Sequence, residues 1–183
     1  MSRLFFGFDP SLSHFGYAVA NVLTYGAKPI WLAAGVIVTK PLGCESKTED
    51  NRHRFQGLAR QLRELVRRHG HPDVVAVEAV ALMHGRTTLT TISALGRARG
   101  LVDALAAEYS VDAREFHPQA LKKLIAGDRT AEKVAVEKSL VARYPELEAL
   151  FAQLALANRE HAADACAAVH AALTTTQHPH QEQ

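Results

Sequence analysis

The stretch Leu4-Phe5-Phe6-Gly7-Phe8-Asp9-Pro10-Ser11, with a second apolar run at Gly16-Tyr17-Ala18-Val19-Ala20, sets the reading of the chain. Leu4 to Phe8 is too short and too continuously apolar for an amphipathic surface helix, so it predicts a strand buried on both faces. Pro10 and Ser11 turn the chain, and the run from Phe15 to Val22 reads as the returning strand of a hairpin. Asp9 is therefore a carboxylate placed where a buried strand stops. Val74-Val75-Ala76-Val77 delivers Glu78 in the same way, and Glu160-His161-Ala162-Ala163-Asp164 adds further donors in a helix-like stretch. Acids that end buried strands or line a helix suggest a metal-dependent active site.

Outward from that hairpin, Thr24 to Pro29 is turn chemistry and Ile30 to Thr39 a third strand, giving an antiparallel meander. From Asp50 to His69, Phe55, Leu58, Leu62, Leu65 and Val66 recur at helical spacing, and Gly70 with Pro72 ends that helix. A short strand, Val74 to Glu78, precedes a long helix from Thr88 to Glu108, and Val111 to Phe116 is a further strand. Pro118 opens a helix to Ala126, Gly127-Asp128-Arg129 breaks it, and Thr130 is the expected N-cap of a helix to about Tyr144. Pro145 to Leu173 is alanine-rich and helical, with an interruption expected near Asn158. Strands interleaved with helices demand some parallel pairing, which implies an α/β layer fold with a mixed sheet.

Composition is compatible with this. The chain has 183 residues, 48% of them hydrophobic, enough for one sizeable core. Residues 1–174 read as a single domain and residues 175–183 as a flexible polar tail. A net charge of +2 with a pI near 8.6 does not by itself announce nucleic acid. Cys44 and Cys166 form neither a disulfide framework nor a zinc spacing, which suits a reducing cytoplasm. No run approaches the roughly 18 apolar residues of a membrane span, so no membrane partner is expected.

A hard divalent cation such as Mg²⁺ takes oxygen ligands and keeps several waters, so carboxylates from separate elements suffice. Asp9, Glu78 and Asp164 meet that need, provided the strands ending at Asp9 and Glu78 are neighbours in the sheet. His161 and Asp164 share a helix face, and Glu160 competes for a ligand role. Two metals about 3.5–4 Å apart would clamp a phosphodiester.

Phe8-Asp9-Pro10 with Gly16 and Tyr17, Val77-Glu78, Leu95-Gly96-Arg97-Ala98-Arg99-Gly100, Thr130-Ala131-Glu132-Lys133 and His161-Ala162-Ala163-Asp164-Ala165 follow one another in an informative order. In order and approximate spacing the chain resembles the RuvC-type Holliday junction resolvases, from about Leu4 to Leu173. The resemblance implies a ribonuclease H-like fold: a mixed five-stranded sheet flanked by helices on both faces. It implies a homodimer that uses Mg²⁺ or Mn²⁺ to cut paired phosphodiesters in four-way DNA junctions, in DNA recombination and repair. Carried over residue by residue, it makes Asp9, Glu78, His161 and Asp164 the catalytic metal ligands. Lys133 would assist catalysis beside the scissile phosphate, and Lys122 and Lys133 would contact the DNA backbone; Arg97 and Arg99 could contact phosphates too, or one could instead pair with Asp103 or Glu108 on the helix surface.

Two departures stand out. Ser11 occupies a position where many relatives have glycine, and Ala79-Val80-Ala81-Leu82-Met83-His84 lacks the aromatic residue that relatives place three positions after the acid. Distortion of the junction would then use Leu82, Met83 or other residues, or be weaker. Alternatives are a ribonuclease H-like nuclease acting on flaps, forks or RNA–DNA hybrids, and a branched-DNA-binding module that does not cut. An actin-like ATPase would need a second, similar domain, for which 183 residues are too few.

Overall fold

The computed structural model describes residues 2–24, 26–44, 46–80 and 88–177. Strands β1 (Arg3–Asp9), β2 (His14–Val22) and β3 (Ile30–Val38) form the antiparallel meander, followed by α1 (Lys47–His69), β4 (Val74–Glu78) and α2 (Leu89–Glu108). Strand β5 (Ala113–Phe116) leads into α3 (Pro118–Ala126), α4 (Lys133–Arg143), α5 (Glu146–Ala152) and α6 (Leu156–Gln177). The five strands make one sheet in the order β3-β2-β1-β4-β5. β2 runs antiparallel to β1 and β3, whereas β4 runs parallel to β1 and β5 parallel to β4.

Alternation along the strands divides the core in two. Phe5, Ala18, Ala20, Val74 and Ala76 point into one layer with α3 to α6, and Phe6, Phe8, Val19, Val75 and Val77 into the other with α1 and α2. Helices therefore cover both faces, which is why β1 and β4 lack a polar side. On this alternation Asp9 shares the face of Phe5 and Gly7, and Glu78 that of Val74 and Ala76, which is the α6 side.

α6 is apolar around much of its circumference because it lies between the sheet and the other helices of its layer. Its small side chains let it lie very close to the sheet. A Cβ built on Gly7 would fall 2.2 Å from the Ala165 carbonyl oxygen, so that contact is open to glycine alone.

Several boundaries differ from the sequence reading. α1 begins at Lys47, three residues ahead of the expected Asp50, because Ser46 caps it by accepting from the Glu49 backbone N–H. Thr130 is not the cap of α4: Asp128 takes both its backbone N–H and its hydroxyl at 2.9 Å, and the helix starts after Glu132. The alanine-rich segment breaks at 153–155, and Asn158 lies in the first turn of α6 instead of at the break. α6 also continues to Gln177, past residue 174, and residues 178–183 of the expected tail lie outside the described residues.

Candidate active site

β1 and β4 are parallel neighbours with Phe8 opposite Val77, so the next residue of each strand, Asp9 and Glu78, emerges at the same edge and on the same face. α6 delivers Asp164 to that edge. Gly16, paired with Asp9 across β1 and β2, makes the delivery possible: a Cβ there would lie 2.1 Å from the His161 carbonyl oxygen. Carboxylate oxygens of Asp9, Glu78 and Asp164 all fall within 4.8 Å of one another.

Three carboxylates this close cannot easily all be charged in the absence of a cation. Burial, then the charges of Asp164 and Asp9, push the Glu78 carboxyl up to about 9. Burial and the Asp9 charge push Asp164 up to about 7. One Glu78 oxygen, Oε2, is fully enclosed and has no hydrogen-bond partner among protein atoms. An enclosed acceptor without a donor is costly in a folded protein. A cation satisfies it, and an all-oxygen donor set suits a hard divalent ion.

His161 is at the rim of this cluster and not among the three groups that converge. Its Nδ1 lies 2.6 Å from Asp9 Oδ2 and its Nε2 3.6 Å from Glu160 Oε1. The hydrogen bond to Asp9 holds the imidazole pKa above its usual value, against the opposing effect of burial. The other face of the ring stacks on His14, with centroids 5.6 Å apart and planes at 10°. His14 was invisible to sequence reasoning, because a lone histidine at a strand start carries no signal until the helix that meets it is placed.

Lys133 reaches the site from the start of α4 and pairs with Glu160 at 2.9 Å. Burial opposes its ammonium, but Glu160, Asp164 and Asp9 together raise its pKa. Glu160 thus faces Lys133 and the far side of His161 instead of joining the three acids. Lys122, from α3, sits near enough to favour the ionised form of Glu78. Two expected DNA contacts are engaged within the protein: Arg97 lies over the Phe55 ring at 5.9 Å, and Arg99 is bound by Asp103 and by Glu115 at 2.8 Å. Leu82 and Met83, expected to replace the missing aromatic, lie outside the described residues.

A mixed sheet in this order, covered on both faces, with carboxylates at adjacent parallel strand ends and on the last helix, defines a ribonuclease H-like nuclease fold. The family model described as crossover junction endodeoxyribonuclease RuvC matches residues 5–175. The chain is 32% identical over 168 residues to the crossover junction endodeoxyribonuclease RuvC of Synechococcus sp. (strain CC9902), covering 92% of this chain and 94% of that one. It is 34% identical over 127 residues to that of Rickettsia bellii (strain RML369-C), covering 69% and 73%. Among solved structures, T. thermophilus RuvC in complex with Holliday junction substrate superposes with a TM-score of 0.71 at 24% identity, covering 97% of this chain and 94% of that one. The chain belongs to the RuvC family of crossover junction endodeoxyribonucleases.

Proposed function

We propose that the chain resolves four-way DNA junctions by hydrolysing paired phosphodiesters, with Asp9, Glu78, Asp164 and His161 holding Mg²⁺ or Mn²⁺. The observation that carries this is the convergence of three carboxylates within 4.8 Å around an enclosed, unpartnered oxygen of Glu78. A bound divalent cation would supply Lewis acidity, lowering the pKa of a water and offsetting charge on the leaving oxygen. The protein's own part is to hold the acids in register on two parallel strand ends and a glycine-seated helix. Asp9 orients the His161 ring through Nδ1, as a carboxylate does for a metal-binding imidazole. Lys133 keeps a positive charge at the rim, where it counters charge that builds on phosphorus as water attacks. The products are a 5′-phosphate and a 3′-hydroxyl.

Asp9→Asn is expected to abolish paired nicking of a synthetic junction in Mg²⁺ while junction binding survives; an unaltered cleavage pattern in the variant would sink the reading. The nitrogen donor of His161 makes the site less strictly oxygen-selective, so Mn²⁺ is expected to support cleavage at least as well as Mg²⁺. Slower cleavage in Mn²⁺ across a metal titration would count against that ligand role.

Two symmetric incisions require two sites, which a C₂ homodimer supplies most simply. α2 is the proposed contact, since Leu89 is 84% exposed and Ile92 is exposed beside it. No helix among the described residues is long and apolar enough to cross a membrane.

A further inference from the structure

A cavity of about 450 Å³ opens between the Ser11–Ser13 turn and the first turns of α1 and α2. Its size falls within the range of roughly 300–1,000 Å³ typical of ligand sites. Lys47, Asn51 and Arg54 enter it from α1, Thr91 from α2, and Ser11 and Ser13 from the turn. None of the described residues lining it is acidic.

The hydrogen bonding makes the lining a set of donors. Ser13 Oγ already accepts from Arg54 at 2.9 Å, and Ser11 Oγ accepts from the His14 backbone N–H at 3.5 Å. Each hydroxyl therefore keeps its own proton to give. Thr88 Oγ1 likewise accepts from the Thr91 backbone and shares one proton with Thr91 Oγ1, leaving that pair a spare donor. Arg54 is fixed by Thr39 and Ser13 and lies 3.8 Å from the buried Asp50 carboxylate, with its side chain 10% exposed, so it serves as an immobile hydrogen-bonding floor whose charge Asp50 partly offsets. Lys47, at the first position of α1, is exposed and free to swing. Hydroxyl and guanidinium donors, the mobile Lys47 ammonium and no carboxylate in the described lining select an anion with several acceptor oxygens.

Ser11 follows Asp9 by two residues, so their Cα atoms are no more than about 7.6 Å apart. Successive phosphates of one strand advance about 3.4 Å along the helix axis. We propose that this cleft is a second phosphate subsite, which grips the backbone of the cut strand beside the scissile phosphodiester. It rests on the reading of the carboxylate cluster as the cutting site. Ser11 then adds a hydroxyl donor to the subsite.

The test measures binding of a four-way junction in EDTA as a function of salt, for the wild type, Lys47→Gln and Lys47→Gln/Thr91→Val. The subsite predicts that the slope of log K against log[salt] becomes shallower by about one unit in the variants. It also predicts that a neutral methylphosphonate at one position flanking the cleavage site weakens wild-type binding but leaves Lys47→Gln indifferent. An unchanged slope, or equal sensitivity of variant and wild type at every flanking position, overturns the proposal. Both substitutions are at exposed positions, and a melting curve matching the wild type confirms an intact fold. Binding without preference for junction over duplex would overturn the junction reading instead, and the slope would still judge the cleft on duplex.

Discussion

A methyl group at Gly16 would collide with the backbone of α6 at His161, one strand away from Asp9. The neighbour is a carbonyl in a buried helix, so the clash is relieved only by moving the helix that carries His161 and Asp164. Gly16→Ala is expected to destabilise the protein by about 1–3 kcal/mol, as overpacking commonly does, and to suppress cleavage beyond that loss. Urea unfolding and a nicking assay check both, and wild-type stability in the variant would show that α6 is not seated on this glycine. Asp9 and Glu78 were readable because a charged residue ending a short apolar run is conspicuous. Gly16 was legible as part of a pattern but not as a seat, since the helix it touches is 145 positions away. His14 was not legible at all, for the same reason.

Elements with strong local chemistry came out of the sequence nearly as folded: β1 and β4 from their apolar runs, α1 from its stripe, α3 from Pro118 and Gly127. Where two local bonds compete, pattern alone misled. Thr130 looked like a cap, but Asp128 holds its hydroxyl. The alanine-rich C-terminal stretch offered no periodicity to place its break, and its burial on several sides explains why. α2 divides along its length. Ala98, Val102, Leu105 and Ala106 are buried in the core, whereas Leu89 and Ile92 near its start face outward. If that outward end joins two copies, Leu89→Lys/Ile92→Lys is expected to convert a dimer to monomer in sedimentation experiments without lowering the melting temperature. Unchanged sedimentation would move the interface elsewhere.

The molecule as a whole is tuned to a cation it must acquire. Without metal, Glu78 and Asp164 are protonated in the folded state at pH values where they are ionised in the unfolded chain. The folded form then binds more protons, so stability falls as pH rises from about 4 through 9. A bound divalent ion replaces those protons and removes the penalty. The metal-free protein is therefore expected to lose melting temperature from pH 5 to 9, and the increment from Mn²⁺ to grow over the same interval; calorimetry with and without EDTA reads both. A pH-independent increment would show that the acids are not the ligands.

The hydrogen bond from His161 to Asp9 joins positions 152 residues apart. On the ribosome, Asp9 and Glu78 emerge early, while His161 and Asp164 wait for the last helix. A chain made only as far as β4 carries two of the acids but not the other proposed ligands, so a DNA-cutting site stays unarmed until α6 has been made.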